Sequence, residues 1–443
     1  MSLQRRLASQ SSIIFAARLG GAGLIFVAQA LIARIWGAQL LGEYLVVMAT
    51  VNLVAMVMPL GFSTVGTYFT SEYRARGERR QLHVFVGWAY GHVLGVLLLL
   101  LLGGPLVLDL LGLGDSAVAQ HFMPMALMAF AAANVFVSGA ILVGLKRPFA
   151  GFADAIFRPM LVIGAFMGTM GFAVPGEGLA TMLWAIAIGF VVVSLVQVGV
   201  TLVSLRGVAD TAAPRAGEAR RWWRFALPWV LISLASDFFF DIDLLLLSQA
   251  LSHEELAVFG VCTRIFALIS FGVAAVYAVT LPDMFESEAN DDRLSFNRKV
   301  GEANFVASGL SVVLFILVLI GGPFALMLFG PSFAVGAAPL AVLTLSLVVR
   351  SVMGPASLVL SIHDRPYASL PSVGLAIITL VIGNGLLVPP LGLMGAALSA
   401  LIAITVWSVG LWWIALRTAK LDVSILQWFR TRRADAVEAA NAT

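Results

Sequence analysis

Long apolar runs, separated by short polar or Pro/Gly-containing breaks, repeat along the whole chain. They lie at residues 12–35, 41–68, 84–108, 120–145, 155–174, 180–205, 223–250, 256–283, 303–329, 335–361, 366–388 and 393–416. Each approaches or exceeds the ~20 residues that a helix needs to cross a bilayer. None has the period-two alternation of a transmembrane strand; Val96–Leu102, for instance, is apolar throughout. Backbone groups in hydrocarbon must be satisfied within their own segment, so runs of this length predict helices. The expected architecture is an all-α, polytopic membrane protein of about twelve transmembrane helices.

Composition agrees. Only 12% of the 443 residues are charged and 60% are hydrophobic, against about a quarter charged in soluble domains. Mean hydropathy is +0.98, and twelve spans leave no room for a separate soluble catalytic domain. Cys262 is the single cysteine, which excludes an intrachain disulfide or a cysteine-based zinc cluster; it reads as a small apolar residue of a span. His83, His92, His121, His253 and His363 show no metal-ligand spacing, so no metal and no bound cofactor is expected. Arg5 and Arg6 before an apolar run, with Ala28-Gln29-Ala30 behind it, have the look of a signal peptide. The run from Ile13 to Trp36 is too long for one and reads as an uncleaved first helix.

The loops divide by charge. One set holds Arg74, Arg76, Arg79 and Arg80; Lys146 and Arg147; Arg206, Arg215, Arg220 and Arg221; Arg293, Arg298 and Lys299; and Arg365. The alternate loops, 109–119, 175–179, 251–255, 330–334 and 389–392, hold no Lys or Arg and carry Asp109, Asp115, Glu177, Glu254 and Glu255 instead. The positive-inside rule then predicts that the basic loops and both termini of a multi-pass protein face the cytoplasm. Topogenic charge accounts for the basic loops and for Arg430–Arg433, so no nucleic-acid partner is expected. The polar end, Ala434 to Thr443, reads as unstructured.

Two halves are discernible. Residues 206–222 form a Gly-, Pro- and Arg-containing linker between an amino-terminal six-helix lobe, 1–205, and a carboxy-terminal one, 223–416, with a cytoplasmic tail at 417–443. The segment Ile32–Tyr44 between the first two runs is echoed by Leu247–Phe259 between the seventh and eighth. Two six-helix halves in parallel repeat are a transporter architecture.

Several motifs carry a resemblance: Gly37-Ala-Gln-Leu-Leu-Gly-Glu-Tyr44, Tyr73-Arg-Ala-Arg-Gly77, Phe225-Ala-Leu-Pro228 and Glu254-Glu-Leu-Ala-Val-Phe-Gly-Val-Cys-Thr-Arg264. Together they resemble the polysaccharide-export flippases of the multidrug/oligosaccharidyl-lipid/polysaccharide (MOP) superfamily. Ala257 stands where the first copy of the turn has Gly42. The resemblance implies a MOP/MATE-like fold. It also implies a non-enzymatic flippase moving an undecaprenyl-diphosphate-linked oligosaccharide across the inner membrane, for lipopolysaccharide or exopolysaccharide biosynthesis. Membrane lipid and the polysaccharide polymerase machinery would be its partners.

Ionisable groups within apolar runs are functional candidates. Arg18, Arg34, Arg264 and Arg350 qualify, as do Asp237, Asp241 and Asp243, all in the seventh run. At about 100° per residue, Arg18 shares a stripe with Ser11 and Gln29, whereas Arg34 faces away and reaches the interface. Ser346, Arg350, Ser357 and Ser361 make a second stripe, and Ser233, Asp237, Asp241 and Ser248 a third. A guanidinium binds phosphate oxygens bidentately and keeps its charge in low dielectric. Arg18, Gln29, Arg264 and Arg350 are therefore the expected contacts to an anionic diphosphate, lining a cationic cavity that works by alternating access. Asp237 and Asp241 either couple transport to a Na⁺ or H⁺ gradient or pair with Arg350 and Arg264. A MATE-like cation-coupled multidrug extruder is the nearest alternative, but it would favour acids where this chain has arginines. A membrane glycosyltransferase or polymerase would need an acidic site and a sizeable outer loop.

Overall fold

The computed structural model describes residues 3–172, 177–209, 217–290, 292–363 and 365–441. No β-strand occurs among them, and the chain divides into two compact units, 1–245 and 246–443. The first contains helices α1 (Leu3–Trp36), α2 (Ala38–Val57), α3 (Phe62–Arg76), α4 (Arg79–Leu110), α5 (Ala117–Gln120), α6 (Phe122–Gly144), α7 (Pro148–Gly151), α8 (Asp154–Phe172), α9 (Gly178–Leu205), α10 (Glu218–Asp237) and most of α11 (Phe239–Leu247). The second contains α12 (His253–Ala289), α13 (Arg293–Met327), α14 (Ala337–Met353), α15 (Ala356–Ile362), α16 (Leu370–Leu391), α17 (Leu393–Thr418) and α18 (Leu426–Asn441). The final residues correct one expectation, because α18 carries helix through Ala434–Asn441.

Among the described residues, eleven helical segments are long and apolar enough to cross a membrane. The apolar run 223–250 is absent from them: it breaks at Phe238, leaving a 9-residue helix too short to cross and a 20-residue one whose first turns carry Glu218, Arg220, Arg221 and Arg224. Two further runs are interrupted. Run 41–68 breaks after Val57, where Pro59 lacks an N–H and Gly61 takes φ 86°; α3 then continues to Arg76. Run 335–361 breaks at Gly354, φ 85°, followed by Pro355, since a residue preceding proline is pushed out of the helical region. The break at Phe238 has neither proline nor glycine to explain it.

Helix α6 is the hub of the first unit and packs against α2, α3, α4 and α9. Its buried face is built from Ala126, Ala129, Ala131, Ala132 and Ala133 with Ser138, and small side chains let membrane helices approach closely. Gly144 packs against Thr70 of α3, and Gly66 against Ala140. The peripheral α4 instead exposes Leu98, Leu99, Leu102 and Leu106, the apolar surface that lipid covers. In the second unit α17 turns Gly395, Ala396, Ser399 and Ala403 inward against α16, and the Ser399 side chain meets Gly383. Cys262 is fully buried, with its thiol 3.4 Å from the Gly336 carbonyl. Helix α18 lies on α13, where Trp428 stacks on Phe305 at 4.1 Å. Residues 419–425 thread back to the Gly354 break: Ile425 N donates to Val352 O at 2.9 Å, and Asn304 Nδ2 donates to Val423 O at 3.1 Å.

Candidate functional site

Three polar side chains from three helices meet inside the first unit. Asn52 lies three-quarters of the way along α2 and Asp241 in the first turn of α11; both are buried. Arg158 precedes Pro159 on α8, held close to α1 at Gly21, where an added Cβ would strike the Ala155 carbonyl. Asn52 Nδ2 donates to Asp241 Oδ2 at 3.2 Å, and Arg158 Nη2 donates to Asn52 Oδ1. The guanidinium also lies over the Phe190 ring of α9, 5.8 Å from its centre. The amide thus joins an anion and a cation: its NH₂ serves the carboxylate and its carbonyl the guanidinium, which fixes its orientation.

The residues singled out from the sequence are placed differently. Arg18 is exposed on α1, with its guanidinium 4.7 Å from the centre of the Phe152 ring. Gln29, eleven positions on, is buried at 3% exposure, while Arg34 is exposed. The helix break falls between Asp237 and Asp241; the former is exposed and the latter buried. Asp243 is fully buried. The continuous face assumed for these acids is therefore interrupted, and the serine stripe through Ser357 and Ser361 is likewise cut from Arg350 at Gly354. In the second unit Arg264 is half-buried on α12, which packs against α14. Arg350, in the last turn of α14, is exposed and lies 5.7 Å from the Trp407 ring centre of α17. Nearby, Tyr277 Oη donates to Asn304 Oδ1 at 2.8 Å.

Sequence reading missed Arg158 and Asn52. Arg158 is the fourth residue of its apolar run and follows a basic loop, so it passes for topogenic charge. Asn52 carries no charge, and its only signal is an amide within the apolar run 41–68.

A second polar cluster ties the start of α10 to the end of α3. Trp222 Nε1 donates to Tyr73 Oη at 2.7 Å, and Tyr73 Oη donates to Glu218 Oε2 at 2.7 Å. Arg221 reaches both Glu72 oxygens, the nearer at 2.8 Å, and Glu218 at 3.2 Å. Burial and then the Glu218 carboxylate push the Tyr73 phenol well above its ordinary value. The motif Phe225–Pro228 packs on residues that precede Tyr73–Gly77: Phe225 stacks on Tyr68 at 6.2 Å, and Gly61 packs on the Ala226 carbonyl. Among the described residues, no group of three His, Cys, Asp or Glu side chains could hold a metal ion.

The fold of this helical membrane protein, with its interrupted helices, is similar to those of several solved transporters. The fold matches an inward-closed structure of the lipid II flippase MurJ at TM-score 0.74, with 13% identity over 95% of this chain and 90% of that one. It matches an inward-facing MATE-family multidrug resistance transporter at 0.71, with 17% identity over 92% and 98%. A MOP superfamily transporter from Pyrococcus furiosus, described as having a binding pocket of reversed polarity, matches at 0.65, with 17% identity over 92% and 94%. No curated protein matches the chain by sequence. The family model described as polysaccharide biosynthesis protein matches residues 7–288. The chain belongs to this family.

Proposed function

We propose that the protein is a flippase that moves a lipid-linked oligosaccharide, carried on undecaprenyl diphosphate, across the bacterial inner membrane for surface polysaccharide synthesis. The family match over residues 7–288 carries this reading. The MurJ-like fold supports it, since that neighbour is a lipid II flippase. Arg18, Gln29, Arg264 and Arg350 supply the polar contacts to the substrate, with the guanidinium groups taking the diphosphate oxygens. Alternating access carries the headgroup while the lipid tail stays in the bilayer. Asp241, joined through Asn52 to Arg158, and Asp237 sense a cation gradient, Na⁺ or H⁺; both sit at the α10–α11 break, where a discontinuous helix frees backbone groups to work in ion sites.

The test is deletion of the gene followed by analysis of surface polysaccharide and lipid-linked intermediates. Loss of the polysaccharide with accumulation of the intermediate on the inner leaflet is expected. Arg18→Ala should fail to complement and Arg18→Lys should complement partly, because a point charge replaces a bidentate fork. Unchanged polysaccharide, with heightened sensitivity to cationic drugs, would instead identify an extruder.

A further inference from the structure

Helix α18 has 16 residues, fewer than the ~20 that a span needs, yet two sets of contacts in the second unit hold it at the edge of the membrane. Its first turn lies on Gly301 of α13, where an added Cβ would meet the Trp428 backbone at 3.0 Å, and the Trp428 ring stacks on Phe305 at 4.1 Å. This is where α13 changes character. Arg298, Lys299 and Glu302 lie before it, and the exposed Phe305 and Val306 open the apolar stretch. Asp422 sets the same level from α17: it accepts from Trp412 Nε1 at 2.9 Å and pairs with Arg430 at 2.8 Å. Beside Trp412, in the last two turns of α17, Arg417 lies over the exposed Trp413 ring at 4.6 Å. Tryptophan is enriched at the membrane–water interface.

The outward face of α18 suits that level. Gln427 is buried and Trp428 half-buried against α13. At about 100° per residue, Leu426, Phe429, Arg430 and Arg433 share the opposite arc, and all four are exposed. Arg432, exposed too, lies over the Trp428 ring at 4.6 Å. Two large apolar side chains therefore start the face and arginines follow within a turn. Phe429 touches Trp428 edge-on at 4.8 Å and Trp428 stacks on Phe305, so the apolar part continues the outer surface of α13. An acidic soluble partner would match the arginines and leave Leu426 and Phe429 without a use; a phospholipid matches both.

We propose that α18 is an interfacial anchor that binds anionic phospholipid. Leu426 and Phe429 enter the acyl-chain boundary beside Phe305, and Arg432 and Arg433 take the headgroup phosphates. The contact belongs to the resident membrane rather than to the transported substrate.

Cys262 is fully buried, so one introduced cysteine can carry a bimane fluorophore in the full-length protein. Phe429→Cys reports on α18. Leu294→Cys is the control, because Leu294 is exposed in the first turn of α13, about 16 Å before Phe305 at 1.5 Å per residue. Each protein is placed in bilayer discs of phosphatidylcholine with a minority of phosphatidylglycerol, and one lipid or the other carries brominated acyl chains. Bromolipid should quench the label at 429 by about half and leave that at 294 nearly unchanged. Brominated phosphatidylglycerol should quench position 429 severalfold more than an equal fraction of brominated phosphatidylcholine. Adding Arg432→Gln with Arg433→Gln should remove that preference. If Phe429→Cys lowers the folded yield, Leu426→Cys carries the same label. Absence of quenching at 429, or equal quenching by the two lipids with both arginines present, would overturn the proposal. So would shielding that appears only as the number of protein copies per disc rises, which would assign the face to a second copy of the chain. The readout is lipid contact rather than export, so its failure leaves the proposed transport activity standing.

Discussion

Asn52 donates a hydrogen bond to Asp241, 189 positions later in the chain, and accepts one from Arg158. A single neutral amide thereby links a guanidinium on α8 to a carboxylate on α11. The two charges need not touch for each to depend on the other.

That dependence is measurable. Asp241 is buried and Arg158 half-buried, and they are linked through the amide, so losing either charge should cost less than the ~3–5 kcal/mol of breaking a fully buried pair. Asp241→Asn and Arg158→Gln are each expected to lower the thermal stability of the detergent-purified protein. The double variant should be less destabilised than the sum of the singles, since residues in one network are non-additive. Asn52→Leu should cost about 1–3 kcal/mol by leaving polar partners unsatisfied. Strict additivity would show that the amide does not couple the two charges.

Gly354→Ala is expected to reduce folded protein more than a glycine-to-alanine change in a helix would. The residue adopts φ 85°, which disfavours a side chain, and an added Cβ would overlap the Val423 carbonyl. A loss of about 2 kcal/mol or more is expected. Gly385→Ala, in open space on α16, is the control and should be neutral or slightly stabilising. Thermal unfolding of the two variants side by side checks the difference.

Asp422 gives a pH dependence. Burial alone would raise its carboxyl, but hydrogen bonds from Ser424 and Trp412 and the nearby Arg430 outweigh burial and hold it below the ordinary value. A carboxyl depressed in the folded state contributes stability that is full above its unfolded value of ~3.9 and is lost as pH falls through the folded one. Asp422→Asn should therefore be less stable than wild type at neutral pH, by about 1–2 kcal/mol. The gap should close as pH drops below about 4. A gap that stays constant from pH 7 to pH 3 would remove the carboxylate from this account.

The fold class was legible because twelve apolar runs need nothing beyond bilayer thickness to be read as helices. The interruptions were harder. Pro59, Gly61 and the Gly354–Pro355 pair are visible in the sequence, but they sit inside runs whose hydropathy never falls, so a window average passes over them. The break at Phe238 has no local marker at all. Phase arguments that crossed these points placed Asp237 beside Asp241 and Ser357 beside Arg350 on continuous faces, and the breaks undo that continuity. Asp241 was findable because an acid at membrane depth is costly. Its neighbours were not: Asn52 is neutral, and Arg158 lies where topogenic charge is expected.

The strand of chain that seals the Gly354 break has a consequence for biosynthesis. The Val352 carbonyl accepts from Asn304 as well as from Ile425, and Asn304 also reaches forward to Val423, so the two contacts to the tail wait for residues translated some seventy positions or more after their partners. Until the ribosome has delivered the last spanning helix and the turn beyond it, the break stands open in a partly inserted chain. The second unit is thus finished from its end backwards. Shortening the chain ahead of Val423 would leave every spanning helix in place yet strand the nascent protein in an incomplete state, which is where membrane quality control would intercept it.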